Sequence, residues 1–173
     1  MALQRPTADE HAPYYGNYTA LVPEGDVRDH LRVQLAEMLA LVSGLSESRA
    51  SYAYGPGKWT LKEVVLHIID AERVFAYRML RIARGDTTPL PGFEQNDWVP
   101  LCGAAGRSVA SLMVEYSAVR AATLVLMDAL EPGAWLRRGT ASGHPVSARA
   151  LAYIIAGHDR HHQKILRDRY LAT

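Results

Sequence analysis

Apolar residues recur at intervals of three and four in four stretches of this chain, with polar residues between them. The first stretch runs Val27, Leu31, Leu35, Met38, Val42, Leu45, and Asp26 stands before it where an N-cap belongs. The second begins after the break Gly55-Pro56-Gly57. There Thr60-Leu-Lys-Glu63 has the spacing of a capping box, and Trp59 is placed to staple onto Val64. Gly85 closes that stretch behind Arg81 and Arg84, whose charges suit a helix C-terminus. The third is Val109, Leu112, Tyr116, Val119, Thr123, Leu126, Leu130, spaced like a bundle seam and stopped by Glu131-Pro132-Gly133. The fourth opens at Ser147 as a cap, with Val146 placed to staple on Leu151, and carries Ile154, Ile155, Ile165 and Leu166. This periodicity predicts helices near 26–45, 60–84, 108–130 and 147–170. No strand alternation and no internal repeat stand out.

Four long helices, each with one apolar face, predict an all-α four-helix bundle. Residues 86–107 hold Pro89, Pro91, Gly92, Pro100, Gly103 and Gly106. A connection of that length is functional, a crossover, or disordered, and Phe93 and Trp98 favour an ordered loop that packs down. It is long enough to cross the bundle from end to end, so the second and third helices can run parallel in an up-down-down-up order. Residues 1–25, with Pro6, Pro13 and Pro23, predict an irregular arm whose Tyr14, Tyr15 and Tyr18 pack on the body. The chain, 1–173, is expected to be one domain, with the arm at 1–25 and the bundle at 26–170.

Composition narrows the function classes. The net charge is +1 and no basic tract stands out, so the electrostatic footprint of a nucleic-acid binder is missing. The first residues have no apolar run, and no stretch reaches the roughly 18 apolar residues of a membrane span. The single cysteine, Cys102, allows no internal disulfide. A cytoplasmic protein without nucleic-acid or membrane partners is expected.

The chemistry lies in the histidines. His158 and His162 fall on the apolar stripe of the fourth helix, four residues apart and hence on one face. Two imidazoles held that way can grip one metal ion. His67 sits on a plausible inward face of the second helix with Val64, Ala71 and Val74. If these helices are antiparallel, His67 lies about 10 Å and His162 about 14 Å from their shared end, so all three rings meet at one level. Taken alone, His67 reads as an ordinary core or surface histidine; the constellation makes it a ligand. His161 points about 100° away from His162; His30 and His144 read as solvated, and His11 lies in the arm. Three imidazoles leave one or more coordination positions open, as in a catalytic or substrate-binding site. Asp70, one turn from His67, is placed to orient its ring.

The stretches Gly57-Lys-Trp-Thr-Leu-Lys-Glu-Val-Val-Leu-His67-Ile-Ile-Asp-Ala-Glu-Arg, Phe75-Ala-Tyr-Arg-Met-Leu-Arg-Ile-Ala-Arg-Gly-Asp, Pro89-Leu-Pro-Gly-Phe-Glu-Gln-Asn-Asp-Trp and Ile155-Ala-Gly-His158-Asp-Arg-His-His162 resemble the DinB-like metal-binding four-helix bundles. The resemblance covers roughly residues 25–170. It implies that His67, His158 and His162 hold a divalent metal, and that the fold is the up-down-down-up bundle, often a homodimer. Characterised relatives include transferases and isomerases that use bacillithiol, mycothiol or glutathione; the family name reflects induction by DNA damage.

Three functions compete. One is a metal-dependent thiol transferase acting on a small electrophile, with a low-molecular-weight thiol as cosubstrate and zinc, nickel or iron as metal. The second is a metal-dependent hydrolase, since His158-Asp159-x-x-His162 differs from the zincin helix motif by Asp in place of Glu. The third is a non-catalytic metal-binding protein of the stress response. The sequence singles out no catalytic residue beyond the three ligands.

Overall fold

Thr60 and Glu63 satisfy each other's backbone as expected: the Glu63 amide donates to Thr60 Oγ1 at 3.2 Å, and the Thr60 amide to Glu63 Oε2 at 2.6 Å. The helix they start, α4, runs Leu61–Ala83 and is the longest in the computed structural model, which describes residues 3–172. The other long helices are α2 (Val27–Val42), α6 (Val109–Asp128) and α7 (Ala148–Ile165), the last continued by a wider π turn over Leu166–Leu171. Asp26, Ser108 and Ser147 cap them, each accepting a backbone N–H of the first turn. The protein is mostly helical. Short helical turns fill the connections: α1 (Gly16–Thr19), α3 (Glu47–Ala50) and α5 (Gln95–Trp98).

Three expectations need correction. A two-stranded antiparallel hairpin, β1 (Arg138–Ala141) with β2 (His144–Ser147), precedes α7 where no strand was expected. Its strands are four residues long and contain Gly139 and Pro145, too short and too broken to show alternation. Ser142 and Gly143 turn the chain with φ of 54° and 78°, the conformation of a type I′ loop. Gly139 presses on α4 so closely that a Cβ there would lie 2.7 Å from Ile82 Cγ1. The arm, second, is neither wholly irregular nor uniformly packed. It forms helical turns, and Tyr14 stays 61% exposed. Third, α6 is long and apolar enough, by length and mean hydropathy, to cross a membrane. It packs in the bundle instead, with the Arg120 guanidinium fully buried.

The 86–107 connection is ordered. Leu90 exchanges backbone hydrogen bonds with Thr140 and Ser142 of the hairpin, and Arg78 donates to the Pro91 carbonyl at 2.6 Å. Phe93 packs on the core, while Trp98 leans on Phe93 and remains partly exposed.

The buried apolar residues form two clusters rather than one. Leu31, Phe75, Met79, Met127, Ile154 and Ile155 belong to the first; Met38, Leu61, Ile68, Leu112, Tyr116 and Leu166 belong to the second. Along each long helix the change of cluster falls beside a buried polar group: Gln34 on α2, Glu72 on α4, Arg120 on α6, and His158, Asp159 and Gln163 on α7. The bundle has a polar waist.

Candidate metal centre

At that waist α4 contributes His67, and α7 contributes His158 and His162 from successive turns. One ring nitrogen from each lies within 4.8 Å of the other two, the one such group among the described residues. His67 Nε2 and His158 Nε2 stand 3.0 Å apart. The ring centroids are 4.5–4.9 Å apart pairwise. His67 and His158 are buried and His162 keeps a partly exposed edge.

These residues fit a metal. Two nitrogens bound at about 2.1 Å to one ion lie about 3.0–3.4 Å apart for angles between square and tetrahedral; the His67–His158 pair stands at that separation, and the set of three spreads to no more than 4.8 Å. His162 Nδ1 is buried without a hydrogen-bond partner, a cost that folded proteins seldom carry without compensation. All three rings are held neutral, the state a ligand needs. Burial pushes His67 down to about 4. Burial, and then the neighbouring imidazoles, hold His158 and His162 well below the ordinary histidine range.

Aromatic rings enclose the triad. Trp59 lies 5.1 Å from the His67 ring, and Tyr18 sets its edge 5.3 Å from His158. Tyr18 reaches that position because Gly157 precedes His158: a Cβ at Gly157 would fall 2.0 Å from the Tyr18 carbonyl oxygen. The arm is tied to the body by Glu10, which accepts from Ser147 and Arg149, and is braced internally by Arg5, which donates to the Thr19 and Val22 carbonyls.

Asp70 does not orient His67. It pairs with Arg73 at 3.3 Å, drawn to a surface ion cluster in which Arg73 also meets Glu115. His161 lies beside the centre, 5.0 Å from the His162 ring. His144 is exposed, while His30 and His11 sit against backbone carbonyls at Glu24 and Ala12.

Sequence reasoning missed the group behind the triad. Arg120 donates to both Glu72 oxygens, to Asp159 Oδ2 at 2.9 Å and to the Leu31 carbonyl at 2.7 Å. Tyr116 donates to Asp159 Oδ2 at 2.7 Å, and Gln163 to the Gln34 carbonyl at 2.9 Å. Burial opposes the charge on Arg120, yet Glu72 and Asp159 hold it protonated more firmly than usual. The one signal in the sequence was the charged Arg120 amid the apolar run of α6.

Residues 30–166 match the sequence profile of the DinB superfamily. No curated protein matches the sequence. Among solved structures, the chain superposes on YfiT from Bacillus subtilis, described as a probable metal-dependent hydrolase with an unusual four-helix bundle topology. The TM-score is 0.71 at 14% identity, over 95% of this chain and 92% of that one. It also superposes on a mycothiol-dependent maleylpyruvate isomerase with a TM-score of 0.68 at 15% identity, over 84% of this chain and 61% of that one. At these identities the likeness is one of fold.

Proposed function

The chain belongs to the DinB superfamily, and from that premise we propose that it is a metal-dependent enzyme of the thiol-transferase type, acting on a small electrophile. The convergence of His67, His158 and His162 into one buried set of neutral nitrogens carries the reading. Such a set suits zinc, nickel or ferrous iron and leaves a position for a further ligand. An ion there would supply the positive charge that keeps a low-molecular-weight thiol deprotonated at neutral pH. The chain's own part is to hold three rings unprotonated and to shield them from water with Tyr18, Trp59 and Phe75.

YfiT's description favours hydrolysis as a second reading. Against it, the Asp159 carboxylate already accepts from Tyr116, Arg120 and Gln163, so it is not free to serve as a base. A non-catalytic, metal-binding stress protein is the third reading; it leaves the open position without a use.

The side-chain pairings support the up-down-down-up order. From α4 to α6 the partners rise together, Lys62 with the Arg107 carbonyl and Arg73 with Glu115, as parallel helices require. From α4 to α7 they run opposite, Trp59 with Tyr170 and His67 with His158. Residues 86–107 are then the crossover, in one domain spanning the arm and the bundle. The outward face of α6, with Val114 and Val125 at least 70% exposed, supports a homodimer. The lone Cys102 suits a reducing cytoplasm.

Elemental analysis of the purified protein, followed by a screen of thiols against a chromogenic electrophile with the metal removed and restored, tests the function. About one metal per chain and metal-dependent conjugation are expected. A protein that takes up no metal stoichiometrically overturns the reading.

A further inference from the structure

Two cavities reach the triad, and they share a single residue, Asn96. One, about 270 Å³, is walled by Tyr15, Tyr18, Phe75 and Phe93 and meets His67 and His158. The other, about 250 Å³, is walled by Tyr54, Trp59, Val64 and Tyr170 and meets His162. Trp59 lies against the His67 ring, so it stands between the second cavity and the first.

Their charges differ. The first carries the carboxylate of Glu94, which caps α5 by accepting the Asn96 amide at 2.9 Å. The second has one charged group, Lys58, which makes no ion pair among the described residues. Its walls are aromatic or branched: Tyr54 and Tyr170 meet edge to face at 5.1 Å, and the Tyr170 hydroxyl is already committed to the Trp59 carbonyl. A cation at the rim, flat apolar walls and a nitrogen ligand within reach select an anion with an apolar body.

We propose that the Lys58 cavity is a separate subsite for an organic carboxylate with an aromatic or branched apolar body, held on the His162 side of the centre. The carboxylate pairs with the Lys58 ammonium and the body lies against Trp59 and Tyr54. The second component of the reaction enters through the tyrosine-lined cavity. Separate entries let two reactants meet at one centre without competing for the same walls, which is where proximity lowers a bimolecular barrier. The role in a reaction rests on the metal-enzyme reading above; the binding itself does not, because the cavity is built from protein side chains.

Phenylacetate is the probe, titrated calorimetrically into the full chain with and without bound metal, alongside a count of metal per chain. Saturable binding to both forms is expected. Lys58→Met, or phenylacetamide in place of phenylacetate, should weaken it about two- to fivefold, the size of one exposed ion pair. Tyr15→Phe, on the other cavity, should leave it unchanged. A body lying against Trp59 should also quench part of the tryptophan emission, and Trp59→Phe should remove that quenching. Circular dichroism confirms that the Lys58 variant folds. Absence of saturable binding, or binding indifferent to both Lys58→Met and the amide, overturns the subsite. Stoichiometric metal without phenylacetate binding sinks the subsite alone; phenylacetate binding without stoichiometric metal supports it and sinks the metal reading alone.

Discussion

At the scale of single residues, the centre depends on three imidazoles and one missing side chain. His158→Ala and His162→Ala should each abolish stoichiometric metal, while His161→Ala and His144→Ala retain it, read by dialysis and elemental analysis. Unchanged affinity in the His158 variant would refute the assignment. The metal-free protein should also lose stability in acid. His67 stays neutral in the fold down to about 4, whereas in an unfolded chain it takes up a proton near 6.5. Between those values the unfolded state binds the proton that the folded state excludes. Its contribution is therefore complete above about 6.5 and lost as the pH falls towards about 4, and urea midpoints across that window measure it. Gly157→Ala gains roughly 1 kcal/mol of helix propensity, but its methyl meets the Tyr18 carbonyl. The clash should win, costing about 1–3 kcal/mol and freeing the arm to proteolysis; an uncut arm at unchanged melting temperature would count against it. The three histidines were legible because their spacing and their apolar surroundings show in the sequence. Gly157 was not, because what it makes room for lies 139 residues away in the arm.

At the scale of elements, sequence reading succeeded where a cap and a long period coincide and failed where pattern is short or uniform. The four long helices begin within a residue of their expected starts. The hairpin escaped because four-residue strands hold two apolar-facing positions at most. On α6 the expected seam is buried at Leu112, Tyr116, Thr123 and Leu130, but Val119 and Leu126 are only partly buried, and Arg120 and Met127, which the period did not pick out, lie fully inside. A helix apolar nearly all round gives periodicity little contrast. Arg120 ties α6 to α4, α7 and α2 at once. Arg120→Met should cost roughly 3–5 kcal/mol, because Glu72 and Asp159 would stay buried without a cation. Adding Glu72→Gln and Asp159→Asn should recover part of that loss in denaturant titrations; no recovery would show that packing, not charge, sets the cost.

For the whole molecule, α6 has an inner face that carries a buried guanidinium and an outer face that carries Val114, Val125 and the groove it forms with Tyr77 and Leu80 of α4. A dimer through that face predicts that Val125→Glu sediments as a monomer at concentrations where the parent is a dimer. If the parent is itself monomeric at micromolar concentration, the dimer is wrong. The expectation of a dimer came mainly from the family resemblance, since in helical period surface apolar residues resemble core ones until the neighbours are known. The polar waist has a further consequence. Each helix carries its polar group at one height, so a slip of one turn would set a charge among aliphatic side chains and strand its partners. The waist thus acts as a datum from which both ends are measured. Among the described residues the buried apolar side chains of the two ends fall in separate clusters, so a substitution inside one can be absorbed there before it reaches the other.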